Sequence, residues 1–150
     1  MPQSLANLYI HLIFSTKHRE ALISDEVRPQ LHAYMATVLA NLKSPAVLIN
    51  SVNDHVHLLF QLHRTVTLAK AVEEVKKSSS KWIKTQRGGD QSFAWQSGYG
   101  AFSVSESNTG QVAHYIKNQQ EHHKKITFQE EYRQFLDKHN IEYNEQYVWD

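Results

Sequence analysis

The chain has 150 residues, of which 41% are hydrophobic and 21% charged, and its formal net charge is +1. This length and composition suit one soluble globular domain spanning residues 1–150. No apolar run reaches the roughly 18 residues needed to span a bilayer, and the N-terminus lacks the pattern of a signal peptide. The absence of cysteine excludes disulfides, thiol nucleophiles and thiolate metal sites, and it fits a reducing cytoplasm.

The small net charge conceals two regions of opposite sign. Between Arg64 and Arg87 there are seven Lys or Arg against two Glu. Between Phe128 and Asp150 there are six acidic residues against two basic ones. The pattern predicts one basic element and one acidic C-terminal segment.

The first half of the chain predicts a strand, a helix and a hairpin. The strand covers Leu8–Ser15. A helix is expected from near Ser24, which can cap it, and its inner face carries apolar residues at helical spacing. These are Val27, Leu31, Tyr34, Met35, Val38, Leu39 and Leu42. Residues 44–62 then predict a hairpin with its turn near Asn53–Asp54.

The second half predicts three helices and one strand. A helix is expected from Thr67 to about Gln86, followed by a polar loop over 87–92 and a strand over 99–105. Asn108 with Gln111 forms a potential capping box for a helix over 109–125. Thr127 with Glu130 predicts the start of a last helix.

This order of elements predicts an α+β fold of the ferredoxin-like, split βαβ type. Its antiparallel sheet would carry helices on one face, with a C-terminal helical extension added. The other face of the sheet is expected to be open to solvent and able to carry a functional site.

The segment VNDHVHLLFQL, residues 52–62, places two histidines on the second strand of the hairpin. His55 and His57 share one face of that strand because side chains alternate between faces. Two imidazoles side by side can chelate one divalent ion, although a third ligand must then come from elsewhere. The alternative is a pair of histidines on a solvated sheet face.

The helix expected over 109–125 carries a second set of reactive side chains. Tyr115 and Gln119 lie four residues apart, hence on one helical face, with His122 near the same side. Tyrosine can act as a covalent nucleophile, and a glutamine oxygen can complete the coordination of a hard metal ion. Alternatively, Tyr115 covers the edge of an apolar stripe formed by Val112 and Ile116.

The basic helix provides the third signal. Lys70, Lys77, Lys81 and Lys84 fall on one helical face, with Lys76 and Arg87 nearby. A row of this kind can neutralise phosphates along a nucleic-acid backbone, or it can simply be a solvated face. Trp82 lies at inward spacing and is expected in the core.

Taken together, H-V-H at 55–57 and Y-x-x-x-Q at 115–119 resemble the single-tyrosine HUH transposases of small bacterial insertion sequences. The resemblance covers nearly the whole chain. It includes YIHLIFSTKHRE, NDHVHLLFQL, KKSSSKWI, FAWQSGYGAFSVSES and YIKNQQEHHKKITFQEEY.

The resemblance implies an enzyme that cleaves and rejoins single-stranded DNA next to hairpins through a 5′-phosphotyrosine intermediate. It implies that His55, His57 and Gln119 bind Mg²⁺ or Mn²⁺ and that Tyr115 is the nucleophile. It also implies a homodimer with composite active sites in a bacterial cytoplasm. The basic helix, with Lys17 and Arg19, would hold the DNA backbone, and His122 or a metal-bound water would accept the tyrosine proton.

Three alternatives remain open at this point. The chain can be a domesticated relative that processes chromosomal palindromes. It can be a non-catalytic module in which Tyr115 stacks on a base of single-stranded DNA. It can also be a hydrolase that uses metal-activated water and forms no covalent adduct.

Overall fold

The computed structural model describes residues 2–150 and contains one four-stranded antiparallel sheet. The strands are β1 (Leu8–Ser15), β2 (Ala46–Ser51), β3 (His55–Leu62) and β4 (Gly100–Val104), in the spatial order β2-β3-β1-β4. This is the predicted split βαβ topology, and the fold-class prediction is confirmed. β1 and β3 form the centre of the sheet, and residues 11–15 of β1 and 55–60 of β3 are buried between the neighbouring layers.

Two helices cover the first face of the sheet. They are α1 (Arg28–Asn41) and α2 (Leu68–Ile83). Leu12 and Phe14 of β1 and Leu58 of β3 point into this layer and form the main core with residues such as Leu31 and Val75. Trp82 lies at the margin of that core, where its ring stacks on Tyr34 with centroids 5.1 Å apart.

Of these two helices, only α2 starts at a side-chain cap. The Thr67 side chain accepts the N–H of Lys70 and begins α2, as expected. α1 begins later than Ser24, at Arg28. The intervening residues 25–27 form a turn, in which the Ser24 hydroxyl accepts the N–H of Val27 at 3.4 Å.

The second face of the sheet is covered, contrary to the expectation that it is open to solvent. The part of the chain after β4 forms three α-helices, which are α3 (Thr109–Lys117), α4 (Gln119–His122) and α5 (Phe128–Lys138). Phe128, Tyr132 and Leu136 of α5 pack on Ile13 and Phe102 of the sheet to form a second apolar cluster. The C-terminal extension is therefore the layer that closes the functional face.

The single helix predicted over 109–125 is two helices. They are separated at Asn118, whose φ of −96° and ψ of 22° leave the helical region. Within residues 2–150, the Asn108 side chain makes no capping hydrogen bond to α3, so the predicted capping box is wrong. Thr127 does cap α5, as predicted, by accepting the N–H of Glu130 at 3.2 Å.

The C-terminal segment after α5 packs on its own chain. Tyr143, Val148 and Trp149 extend the second apolar cluster. The Asp150 carbonyl accepts the N–H of Gly98 at 2.8 Å and the side-chain amide of Gln96 at 3.2 Å. None of the helices in residues 2–150 is long and apolar enough to cross a membrane.

Candidate functional site

The two histidines of β3 lie under the C-terminal helices. The register places His55 opposite Ser15 and His57 opposite Ile13 of β1, so both face the second layer. Both residues are fully buried. The expectation that they share a face is met, and they do not belong to a solvated surface.

A third imidazole, His123 at the end of α4, completes a convergent set. Each ring directs its Nε2 atom towards one point and uses its Nδ1 atom in an outer hydrogen bond. The Nδ1 atoms of His55, His57 and His123 contact, respectively, Asp54 Oδ1 at 2.7 Å, His11 Nε2 at 2.8 Å and the Ile126 carbonyl at 3.0 Å. Such outer partners are what fix the orientation of metal-ligating histidines.

The carboxylate of Glu131, on α5, lies at the point where the three imidazoles converge. Its Oε1 atom is 3.0 Å from His57 Nε2, 3.2 Å from His123 Nε2 and 3.5 Å from His55 Nε2. Glu131 is fully buried. Burial alone would raise its pKa, but hydrogen bonds from the three imidazoles hold it far below the ordinary value of a glutamate. The carboxylate is therefore charged.

The protonation of the two strand histidines differs because their partners differ. Burial lowers the pKa of His57 and outweighs its hydrogen bond with Glu131. Burial acts in the same direction on His55, but hydrogen bonds with Asp54 and Glu131 outweigh it and raise the pKa of that imidazole. The neutral form required of a metal ligand is thus favoured at His57.

Gln119 lies at the same point, as the sequence predicts for a third ligand. Its Oε1 atom is 3.0 Å from His123 Nε2 and 3.4 Å from His55 Nε2. Its Nε2 atom donates to Glu131 Oε2 at 3.3 Å. The break at Asn118 begins a new helix at this glutamine, and the side chain is fully buried.

Tyr115 reaches the cluster from α3. Its hydroxyl donates a hydrogen bond to Oε2 of Glu131, and its ring centroid lies 6.1 Å from that of His57. Burial, and then the negative charge of Glu131, raise the pKa of the hydroxyl well above its usual value. The tyrosine and both strand histidines come from one chain, so a composite site shared between two subunits is not needed to bring them together.

His122 occupies a different place from the one expected of a proton acceptor. Its ring lies over the ring of Tyr115, with centroids 4.5 Å apart. The tyrosine hydroxyl is directed at Glu131 instead. Contact with the face of the ring supports the position of Tyr115 but offers no path for the hydroxyl proton.

The residues present fit a divalent metal ion. One ligand atom from each of His55, His57, His123 and Glu131 lies within 4.8 Å of all the others. Imidazole nitrogen and carboxylate oxygen are both common metal ligands, and each ring is already oriented by an outer hydrogen bond. The buried cluster can therefore hold a metal.

Two members of this cluster, His123 and Glu131, were not singled out from the sequence, and neither were the outer partners His11 and Asp54. One signal for Glu131 is present in the chain. Phe128, Tyr132 and Leu136 define the buried stripe of α5, and Glu131 falls on that stripe. A carboxylate on the apolar side of an amphipathic helix needs a buried partner, which makes it a candidate for a functional site.

The basic residues predicted to hold DNA are divided between two regions. Exposed cations of α2 and the following loop lie on the layer opposite the histidine cluster: Lys70, Lys77, Lys81, Lys84 and Arg87. Lys76 differs, because its ammonium donates to the carbonyls of Gln96, Ser97 and Gly98 at 2.7, 3.1 and 2.7 Å. Lys76 thus holds the segment 96–98 in place by hydrogen bonds within the chain.

Lys17 and Arg19 lie in the turn after β1, near a large cleft. The cleft has a volume of about 1040 Å³ and is lined by Arg19, Arg28, Lys124 and Lys125. His123 and Asp54 also line it, so the cleft leads directly to the histidine cluster. The cleft is thus a basic approach to the site.

The protein thus has an α+β fold with a buried, histidine-rich site that can hold a metal ion and that lies beside the hydroxyl of a tyrosine. Residues 4–119 match the family described as "Transposase IS200 like". The match covers most of the chain, and the chain belongs to this family of DNA transposases. It ends at Gln119, so His123 and Glu131 lie beyond it.

Solved structures of two transposases resemble this one. A proposed transposase of Deinococcus radiodurans R1 is 25% identical, with a TM-score of 0.59 over 79% of this chain and 98% of that one. A REP-associated tyrosine transposase bound to a REP hairpin is 12% identical, with a TM-score of 0.59 over 84% of this chain and 76% of that one. The second likeness concerns the fold alone. No curated protein gives a significant match.

Proposed function

We propose that this transposase cleaves and rejoins single-stranded DNA through a covalent link between Tyr115 and a 5′-phosphate. The observation that carries the proposal is the position of the Tyr115 hydroxyl. It lies at a buried cluster of imidazoles and a carboxylate within the same chain, bonded to Glu131.

The chemistry requires only an exchange of phosphodiester bonds. The Tyr115 oxygen attacks the scissile phosphorus in line, a bond forms between them, and the bond to the 3′-oxygen breaks. The hydroxyl proton of Tyr115 passes to solvent water and the departing 3′-oxygen takes up a proton from water, so the step is neutral in protons. Because the phosphotyrosine bond replaces the phosphodiester bond, a second 3′-hydroxyl can reverse the step and join two strands.

Each side chain at the cluster has a role in this reaction. We propose that His55, His57 and Gln119 hold a divalent ion, Mg²⁺ or Mn²⁺. When bound, such an ion supplies Lewis-acid stabilisation of charge on the phosphate oxygens. Glu131 orients the Tyr115 hydroxyl, and His122 holds the tyrosine ring from its open face.

The cleft that ends at His123 provides the route for the substrate. Its basic residues can neutralise a strand backbone as it approaches, in particular Arg19, Lys124 and Lys125. The phosphate must then reach histidines that are buried under α5. A flexible single strand can present a phosphate at such depth, whereas a stiff duplex cannot.

We further propose that a DNA hairpin and a second copy of the chain are partners. The exposed lysines of α2 are available to contact the backbone of a hairpin. In a homodimer each subunit would use its own tyrosine, because Tyr115 already lies at the histidines of its own chain.

A denaturing gel tests the proposed function. The purified protein is mixed with Mn²⁺ or Mg²⁺ and labelled single strands from the DNA that flanks its gene. Tyr115→Phe is compared with Tyr147→Phe, which alters a tyrosine that is 61% exposed. An adduct that survives denaturation, needs metal and is absent only in Tyr115→Phe supports the proposal. Cleavage that persists in Tyr115→Phe would instead indicate a hydrolase.

A further inference from the structure

The strongest additional observation is that two metal-capable side chains come from the part of the chain beyond the family match. His123 ends α4 and Glu131 lies in the middle of α5. Both direct an atom to the point faced by the histidines of β3. A site built from His55, His57 and Gln119 alone would contain two imidazoles and a neutral amide, and it would leave these two groups unused.

We infer that His123 and Glu131 complete, with His55 and His57, a three-imidazole, one-carboxylate site that selects a first-row transition ion over Mg²⁺. The inference rests on the proposed function, since it concerns the ion of the same site. Of the two ions proposed above it favours Mn²⁺, and it extends the set to Zn²⁺, Co²⁺ and Fe²⁺. In this ligand set His123 and Glu131 take the place of Gln119. Gln119 then acts as a positioning residue that holds the Glu131 carboxylate.

The chemistry of the donor atoms is the first observation that favours a transition ion. Mg²⁺ prefers oxygen ligands in an octahedral arrangement and keeps several of its waters. Three imidazole nitrogens are a poor environment for it, whereas transition ions bind nitrogen donors strongly. A cluster with three Nε2 atoms around one carboxylate oxygen, at 3.0 to 3.5 Å, matches the second class of ion.

The hydrogen bonds at the Nδ1 atoms of the three imidazoles are the second observation that favours this ligand set. All three rings are held by their Nδ1 atoms, through Asp54, His11 and the Ile126 carbonyl. Such contacts prepare imidazoles to bind a metal through the opposite nitrogen. His123 shares this arrangement with the two predicted ligands, because its Nδ1 atom is bonded outwards and its Nε2 atom faces the site.

The burial of the ligands is the third observation that favours a transition ion. His55, His57 and Glu131 are fully buried, and Phe128 lies against the His55 ring with centroids 4.7 Å apart. A hydrated Mg²⁺ ion that retains several waters needs open space around it. Three of the four ligands leave little room for such waters, which suits an ion that gives up its water more readily. His123 lines the cleft, so that side of the site stays open to a substrate phosphate.

The inference is tested by metal binding, without reference to DNA cleavage. Metal-free full-length protein is titrated with Mn²⁺, and free Mn²⁺ is measured by electron paramagnetic resonance. We expect one tightly bound ion per chain that Mg²⁺ in about 100-fold excess does not displace. His123→Ala and Glu131→Gln should each weaken binding by more than the roughly 10–100-fold cost of losing an outer partner.

Two matched variants serve as controls. His114→Ala removes an exposed imidazole of α3, and Glu130→Gln alters the exposed carboxylate next to Glu131. Both should bind Mn²⁺ like the wild type. A pulsed resonance measurement on the wild-type Mn²⁺ complex counts the coupled imidazole nitrogens directly, so the test does not depend on the folding of any variant.

Each outcome decides the inference. Three coupled imidazoles, with loss of affinity only in His123→Ala and Glu131→Gln, would support it. Two coupled imidazoles, or ready displacement of Mn²⁺ by Mg²⁺, would overturn it while leaving covalent DNA cleavage possible. Conversely, a three-imidazole complex that forms no DNA adduct would uphold the metal site and contradict the proposed function.

Discussion

The hydroxyl of Tyr115 and the carboxylate of Glu131 are joined by a hydrogen bond, and this contact links the proposed nucleophile to the histidine cluster. One carboxylate oxygen accepts from the tyrosine, while the other faces the imidazoles. A single side chain on α5 thus touches both halves of the site. The position of α5 therefore sets the distance between the proposed nucleophile and the proposed metal ligands.

Replacing Glu131 should impair the reaction even when the nucleophile is intact. In Glu131→Gln the hydroxyl of Tyr115 loses its charged acceptor and its fixed orientation. Misplacement of a reacting group by about 1 Å costs on the order of 100-fold in rate. We expect adduct formation in single-turnover assays to fall by about that factor. Glu130→Gln is the matched control, and a Glu131→Gln variant with wild-type rates would show that the contact is unimportant.

The arrangement of the site within one chain predicts the behaviour of mixed dimers. We expect a mixture of Tyr115→Phe with the double variant His55→Ala/His57→Ala to form no adduct, because neither chain then contains a complete site. The mixture is assayed on the same labelled strands after subunit exchange. Recovery of adduct formation in the mixture would show that the tyrosine of one subunit serves the histidines of the other.

The half-buried imidazole of His32 predicts a loss of stability in mild acid. Burial, and then the charge of Arg28, lower the pKa of His32 to about 4 from an ordinary 6.5, and its Nε2 atom lies 2.7 Å from the Ser51 hydroxyl. The unfolded chain therefore binds a proton first as the pH falls. The contribution of His32 is fully present above pH 6.5 and is lost towards pH 4.

Replacing His32 by glutamine tests this expected loss of stability. Between pH 7 and pH 5 the free energy of unfolding of the wild type should fall more than that of His32→Gln, by on the order of 1–2 kcal/mol. Denaturant unfolding at both pH values provides the comparison. His114→Gln, which alters an exposed histidine, should behave as the wild type does. Equal acid sensitivity in His32→Gln would mean that this imidazole is not held neutral.

Substitution of Lys76 and of Lys77, which are adjacent in α2, should affect the stability of the protein differently. Lys76→Met leaves three backbone carbonyls without their charged donor, and it should lower the free energy of unfolding by about 2 kcal/mol. Lys77→Met alters an exposed side chain and should leave stability unchanged. If α2 contacts DNA, only Lys77→Met should reduce the salt dependence of binding, by about one unit of slope. Equal effects on stability would contradict the internal role of Lys76.

The sequence predicts most of the fold because the periodicity of its apolar residues is regular. β1 has the predicted bounds, and the hairpin turns at Asn53–Asp54, where polar residues separate two apolar runs. The break at Asn118 is not predicted because residues 111–125 contain neither proline nor glycine, the usual signals for the end of a helix. The covering of the second sheet face was missed because it depends on where α5 docks, which local periodicity does not specify.

The site could be predicted only in part, for the same reason. The alternation of one strand places His55 and His57 on one face, and the spacing of one helical segment does the same for Tyr115 and Gln119. The roles of these four residues are implied only by the resemblance to the HUH transposases. His123 and Glu131 join them through tertiary packing of α4 and α5. Lys76 could not be told apart from Lys77 by charge alone, since its carbonyl partners lie about twenty residues further along the chain.

Locating the covalent bond tests the central claim most directly. Protein that has reacted with a single-stranded substrate and Mn²⁺ is digested with nuclease and protease, and the modified peptide is sequenced by mass spectrometry. We predict one residue carrying a nucleotide through its 5′-phosphate, and that residue is Tyr115. A nucleotide on any other side chain, or cleaved DNA with no modified peptide, would contradict the proposed mechanism.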